Sequence, residues 1–208
     1  MKRSIAIIDY GAGNLGSVAN AMAKLGYKPE VTGEPAEVLK APAVILPGVG
    51  AAGDAMENLK RIGMADVIRE LIHSKRPVFA VCVGLQLLLS GTEEGGWHKC
   101  LDIIPGAVKK LPAGLKIPHM GWNQVKQTVE HPLFGGIPDE ANFYFVHSYY
   151  ADPEDKSVIA GTTSYGADFS SVIVKDNLVA TQFHPEKSGQ WGLTMYANFL
   201  KRAFNQEG

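Results

Sequence analysis

Long apolar runs are missing from this chain. No stretch is long enough to span a bilayer, which excludes a helical membrane protein. No charge-flanked apolar segment with a cleavage site stands at its start, so a cytoplasmic location is expected. Cysteine is scarce: Cys82 and Cys100 are the only two in 208 residues. Two thiols do not make a disulfide framework, and a reducing compartment fits better. Charge of one sign is not in excess either, with 20 Lys and Arg against 21 Asp and Glu. Neither a nucleic-acid surface nor a membrane-surface role is expected from that balance. The chain has no Cys-x-x-Cys and no His-Glu-x-x-His, so neither metal nor cofactor is expected. Internal repeats and low-complexity tracts are absent as well.

What is there is an ordinary globular balance, 46% hydrophobic and 20% charged. The length suits one domain over residues 1–208 with a sizeable core. The first half alternates between strand and helix patterns. Ser4 to Asp9 and Val44 to Leu46 read as buried strands, and Pro77 to Val81 as a third. Ser17 to Leu25 has helical spacing and stops at Gly26. Asp54 to Ile72 reads as helix interrupted near Gly63, and Leu85 to Leu89 as the start of another. From Gly106 to Gln182 short alternating runs take over, among them Asn123–Val125, Phe143–Val146, Val158–Ala160, Ser171–Val174 and Leu178–Ala180. Leu193 to Phe204 closes the chain as an amphipathic helix. The fold class expected is α/β: three layers, a mostly parallel sheet flanked by helices, with a β-rich, partly antiparallel extension.

The run Phe79-Ala80-Val81-Cys82-Val83-Gly84-Leu85-Gln86 places a cysteine where a buried strand turns sharply into a helix. Such a corner exposes the side chain at the carboxyl edge of the sheet, where open α/β proteins bind ligands. A helix N-terminus favours the thiolate, and its free N–H groups can receive an oxyanion. Gly84 relieves crowding after the corner, whereas Ala80 stands where a second glycine is usual. Read alone, Cys82 is equally a buried core thiol. Cys100 has no corner around it and reads as core. Near the other end, His184 and Glu186 are two apart, on one side of a strand whose end is marked by Pro185. A thiol needs a base and the base an orienter, so the three residues make a Cys-His-Glu acyl-transfer site.

At these residues the chain resembles the triad-type, class I glutamine amidotransferases, and more narrowly the glutaminase subunits of imidazole glycerol phosphate synthase. Cys82-Val83-Gly84-Leu85-Gln86 and His184-Pro185-Glu186 belong to the wider class. Asp9-Tyr10-Gly11-Ala12-Gly13-Asn14 and His119-Met120-Gly121-Trp122-Asn123 point to the narrower one. The resemblance implies that Cys82 is the nucleophile, His184 the base and then acid, and Glu186 its orienter. It implies an oxyanion hole from Val49 and Gly50, in the Pro47–Gly50 loop, and the Val83 N–H. Glutamine would be held by Gly48, Gln86, Glu94 and the segment His147-Ser148-Tyr149, with Glu94 taken over Glu93. The implied partner is a (β/α)8-barrel cyclase that uses the ammonia to make imidazole glycerol phosphate and aminoimidazole carboxamide ribotide. Asn14, Pro118, His119, Met120, Gly121, Trp122, Asn123 and Lys187 would lie at or near that interface, the apolar residues among them in a surface loop. Ammonia released early is lost, so activity is expected to stay low until the partner holds its substrate, with the Gly48-Val49-Gly50 loop as the moving part.

Other readings compete. Gly11-Ala12-Gly13-Asn14-Leu15-Gly16 fits a dinucleotide fingerprint, with Glu34 near the distance of a ribose contact. Against it, Asp9-Tyr10 separates the strand from the first glycine, and no apolar strand end precedes Glu34. His147 reads as a satisfied structural histidine, and His73, His98 and His131 as surface or turn residues. A stand-alone Cys-triad amidase and a non-catalytic scaffold are the remaining alternatives.

Overall fold

A computed structural model describes residues 3–205. The first half runs β1 (Ser4–Ile8), α1 (Leu15–Lys24), β2 (Lys28–Thr32), α2 (Pro35–Lys40), β3 (Val44–Leu46), α3 (Ala52–Arg61), α4 (Met64–His73) and β4 (Val78–Val81). After the four-residue α5 (Val83–Gln86) come β5 (Leu89–Thr92), β6 (His98–Lys99), β7 (Ile104–Lys110), β8 (His119–Gln127) and β9 (Ala141–His147). The chain ends with β10 (Tyr149–Pro153), β11 (Ile159–Ser164), β12 (Asp168–Lys175), β13 (Leu178–Thr181) and α6 (Gly189–Asn205).

Nine strands form one sheet in the order β2-β1-β3-β4-β13-β12-β11-β8-β9. The first five run parallel and the remaining neighbours pair antiparallel. Central strands of a parallel sheet are covered on both faces, so their residues are apolar throughout. Accordingly Val44, Ile45, Leu46, Val78 and Phe79 are fully buried. The chain steps outward from β1 to β2, then back across to β3 and β4. The right-handed rule for such crossovers therefore puts α1 on one face and α2, α3 and α4 on the other. Phe79 on β4 packs its ring against Tyr196 and Phe199 of α6, at 4.9 and 5.2 Å between centroids.

The helical interruption falls at Gly63, which sits between α3 and α4 with φ 72°. The antiparallel extension is a continuation of the main sheet, as expected, but four strands, β10-β7-β5-β6, form a second sheet. The helix expected from Leu85 to Leu89 stops early. Leu89 begins β5 and pairs with Ile104 of β7 instead, because an apolar run such as Leu85–Leu89 fits a buried strand as well as a helix. The edge strand β2 is polar and exposed, and α2 spans only six residues with Val38 buried, so neither shows a periodic pattern in the sequence. Glu34 does follow a strand, though an exposed polar one, and Asp9 Oδ1 accepts the Gly11 N–H at 2.9 Å within the glycine turn. Among the described residues no helix is long and apolar enough to cross a membrane.

Candidate active site

β4 and β13 are adjacent and in register, Val81 opposite Thr181. Their carboxyl ends therefore open at the same place. Cys82 follows Val81 directly, with φ 53° and ψ −108°. That is a sparsely populated region for any residue with a Cβ and holds only where neighbours enforce it. The enforcement is visible: the Cys82 N–H is bound to the Thr181 carbonyl at 2.7 Å. Two glycines close the corner. A Cβ on Gly84 would collide with the Leu46 carbonyl, and one on Gly48 would lie 2.5 Å from the Gly84 nitrogen. Ala80 is fully buried beside Leu46 and Ala180, small enough company to accept its methyl. With only four residues, α5 contributes free N–H groups rather than a long dipole.

His184 and Glu186 do not share a strand. His184 lies beyond β13, and Glu186 sits in the 3-10 turn Pro185–Lys187. The turn brings His184 Nδ1 within 2.8 Å of Glu186 Oε1, with both side chains almost fully buried. Main-chain bonds fix the turn: the His184 N–H goes to the Tyr144 carbonyl at 2.9 Å, and the Ser188 hydroxyl to the His184 carbonyl at 2.6 Å. Tyr196 donates to the second Glu186 oxygen at 3.4 Å. A Cβ on Gly192 would run into the Pro185 carbonyl, so a bare backbone is what lets α6 lie against this turn.

The carboxylate accepts a hydrogen bond from the Nδ1 N–H, which leaves Nε2 facing the thiol. Among the described residues His184 Nε2 is buried without a hydrogen-bond partner. Burial opposes the imidazolium, but hydrogen bonding to Cys82 and Glu186, and then their charges, outweigh it and push His184 up to about 10. The arrangement sets a thiol beside a carboxylate-held imidazole, the two groups that acyl transfer requires.

A cavity of about 330 Å³ opens over this pair. Cys82, His184, Val49, Gly50, Val83, Gln86, Glu94, His147, Ser148 and Tyr149 line it, together with Pro118. Gly48 is buried behind the loop, and Glu94, not Glu93, reaches the cavity. Glu94 Oε2 also accepts the Ala52 N–H at 2.9 Å, which ties it to the start of α3.

Two residues at the site were not anticipated. Gln182 Nε2 lies 3.7 Å from the Cys82 sulfur. Tyr10 is buried and donates from its hydroxyl to the Pro47 carbonyl at 2.9 Å, pinning the loop that follows. Burial, then the Cys82 charge, push the Tyr10 phenol far above its ordinary value. The Asp9-Tyr10-Gly11 motif was the available signal for Tyr10; Gln182 had none beyond its nearness to His184.

The segment expected as a surface loop is strand β8, paired with β9. Its alternation exposes Met120 (62%) and Trp122 (58%) and buries His119. His119 thus lies on the inner side of the strand, behind the exposed face, while Gly121 and Asn123 are half-buried. Lys187 is exposed with its ammonium 5.9 Å above the Tyr144 ring, on which Trp122 also packs. Asn14 caps the start of α1 through its backbone. Among the described residues no group of three or more His, Cys, Asp or Glu side chains is placed to hold a metal ion.

A strained thiol corner and a carboxylate-bound imidazole lining one small cavity are the equipment of a thiol-dependent acyl-transfer enzyme. The family of class-I glutamine amidotransferases matches residues 6–203. The imidazole glycerol phosphate synthase subunit HisH of Dehalococcoides mccartyi (strain CBDB1) is 57% identical over 203 residues, 98% of this chain and 99% of that one. Its counterpart in Moorella thermoacetica is 54% identical over 197 residues, 95% and 94% of the two chains. In fold, the PurLQS structure from Thermotoga maritima superposes with a TM-score of 0.77 at 17% identity, covering 97% of this chain and 99% of that one. The chain belongs to the class-I glutamine amidotransferase family, in the branch of the HisH subunits of imidazole glycerol phosphate synthase.

Proposed function

We propose that this chain, as a single amidotransferase domain over residues 1–208, hydrolyses glutamine to glutamate and ammonia in the cytoplasm. The ammonia passes to a separate (β/α)8-barrel cyclase that forms imidazole glycerol phosphate and aminoimidazole carboxamide ribotide in histidine biosynthesis. The observation that carries the reading is the convergence of Cys82, His184 and Glu94 on one cavity in a chain so similar to HisH subunits.

The chemistry follows from the positions. The Cys82 sulfur attacks the side-chain amide carbon of glutamine and a tetrahedral oxyanion forms. The Val83 N–H at the head of α5 and an N–H of the Val49–Gly50 loop receive it. Losing one such donor costs ~10²–10³ in rate. With its imidazole up to about 10, His184 begins as the acid and protonates the leaving nitrogen. The C–N bond breaks and ammonia departs, leaving a thioester on Cys82. His184, now neutral, takes a proton from water as it attacks the thioester; the C–S bond breaks, releasing glutamate and restoring the pair. Glu186 holds the tautomer throughout. Glu94 supplies a carboxylate for the substrate's ammonium, Gln86 and the 147–149 segment its remaining polar contacts. No step calls on a metal or cofactor. Met120 and Trp122, exposed apolar side chains on one strand face, favour a docking subunit over a stand-alone amidase.

The test is glutamate release by the purified chain, alone and with a cyclase subunit holding its ribonucleotide substrate. Strong release only in the mixture, abolished by Cys82→Ser, is expected. Equal release without the cyclase would leave a Cys-triad amidase and discard the synthase reading.

A further inference from the structure

Several polar side chains at and behind the site are buried. His119, His147 and Gln182 are at most 5% exposed, and each must find partners within the protein. Their bonds can be followed in one direction. His147 Nδ1 lies 2.9 Å from the Tyr149 carbonyl, an acceptor only, so Nδ1 carries the proton. Its Nε2 must then accept, and His119 Nδ1 is 3.0 Å away to donate. His119 Nε2 in turn accepts from Asn123 Nδ2 at 3.3 Å. The Asn123 amide is oriented independently: its Nδ2 also donates to the Ser164 carbonyl at 3.0 Å and its Oδ1 accepts the Gln124 N–H at 2.8 Å.

The path continues past Tyr149. The same carbonyl accepts from Gln86 Nε2 at 2.9 Å, and Gln86 Nε2 reaches Gln182 Oε1 at 3.2 Å. That fixes the Gln182 amide with its Nε2 toward the Cys82 sulfur, at 3.7 Å. The His119 ring is stacked between Tyr165 and Phe145, at 4.0 and 5.0 Å, and has no room to turn. Burial holds His147 neutral, as the direction of bonding requires.

We propose that Asn123, His119, His147, the Tyr149 carbonyl, Gln86 and Gln182 form one continuous hydrogen-bonded chain that positions the Cys82 sulfur and the glutamine cavity relative to strand β8. The strand that starts the chain also carries Met120 and Trp122 on its outer face, while His119 and Asn123 share the opposite one. A partner seated on that outer face is thereby connected to the nucleophile through six defined links. His119, Asn123 and Gln182 are positioning residues in this scheme. The inference rests on the reading of Cys82 as nucleophile.

A double-mutant cycle on glutamine hydrolysis, in the complex with the cyclase subunit and its substrate, tests it. His119→Phe keeps a stacked ring and removes both nitrogens. Gln182→Leu breaks the other end. Each is expected to lower kcat/KM about five- to tenfold, the scale of one hydrogen bond. His119→Asn, which keeps a donor near the Nδ1 position, is expected to recover most of the loss. The decisive readout is the double variant. A continuous chain is already broken by either change, so the pair should lose little more than the worse single variant. Losses that multiply, or His119→Phe at the wild-type rate, would overturn the chain. Should His119→Phe fail to fold, Asn123→Ala breaks the same end from a half-buried position and enters the cycle in its place. Cys82→Ser separates the two readings: it should be inactive in every background, and activity retained there would refute the nucleophile itself.

Discussion

Acidification should destabilise this chain through His147. The ring is buried between β9 and β10. Burial pushes its pKa from an ordinary 6.5 down to about 3, with His119 and His184 adding to the effect and the Tyr149 carbonyl opposing it. A folded-state pKa below the unfolded one means that the unfolded chain binds a proton the folded chain refuses. Stability is then lost as pH falls below 6.5 and goes on falling toward 3. At pH 7 the effect amounts to only ~0.2 kcal/mol, and at pH 5 it reaches ~2 kcal/mol. His119, lowered by burial, acts in the same direction. His184 acts in the other: raised to about 10, its contribution is full below 6.5 and lost as pH rises through 10. Carboxylates elsewhere add their own slopes, so the measurement has to be a difference. His147→Asn can still donate to the Tyr149 carbonyl but does not titrate. Urea unfolding at pH 7 and pH 5 should show the wild-type chain losing ~2 kcal/mol more than His147→Asn, close to 1 M in midpoint for an m-value of ~2 kcal/mol/M. Parallel losses in the two proteins would refute the reasoning, because they would mean that His147 is protonated in the fold or that its ring is hydrated.

Three further perturbations have defined outcomes. Glu186→Gln should lower kcat by ~10²–10⁴ while leaving the fold intact. It should also move the alkaline limb of the pH–rate profile to lower pH, because Glu186 is one of the groups holding His184 at about 10; an unmoved limb would detach that limb from the pair. Gly84→Ala drives a methyl into the Leu46 carbonyl, and the expected cost of ~2–3 kcal/mol would appear as a melting temperature ~5–10 °C lower. Trp122→Ala should weaken the cyclase complex by ~30-fold in a calorimetric titration without changing hydrolysis by the isolated chain; undiminished affinity would put the docking face elsewhere.

Which parts of this protein were legible follows from what each element buries. β1, β3 and β4 lie within the parallel part of the sheet and spell themselves out as apolar runs, whereas Leu178–Ala180 reads as part of the antiparallel extension and in fact pairs parallel with β4. The edge strand β2 buries almost nothing, reads Lys-Pro-Glu-Val-Thr and left no pattern to find. The run after Cys82 was ambiguous for the opposite reason: Leu85, Leu87, Leu88 and Leu89 are all fully buried, so periodicity cannot separate a helix from a strand leaving for the second sheet. At the site, the corner at Cys82 was legible because Gly84 is required by local sterics, and His184 with Glu186 because they are neighbours in sequence. Gln182 acts through partners far along the chain and carries no local mark, and Tyr10, whose partner Pro47 lies in another loop, shows only in the Asp9-Tyr10-Gly11 motif. The burial of His119 was not legible because Met120 and Trp122 beside it suggest a surface loop, whereas strand alternation turns alternate residues inward.

The pairing of β4 with β13 explains why half the chain can lie between the thiol and its imidazole. Register places Val81 beside Thr181, so the two carboxyl ends coincide whatever connects them. The connection is then available for other work. Its strands β8 and β9 carry the exposed Met120 and Trp122 on one side and, through Tyr144 and the 147–149 segment, hold the His184 turn and line the cavity on the other. A displacement of β8 and β9 would reach His184 through the Tyr144 carbonyl and the cavity through Ser148 and Tyr149, while β4 and β13 stay fixed in the core. The Cys82 backbone is anchored to Thr181. In the proposed scheme a docked partner acts on the imidazole, the cavity wall and, through Gln182, the Cys82 side chain, while the Cys82 backbone and the central strands stay in place, which makes control of rate feasible without disturbing the sheet that holds the fold together.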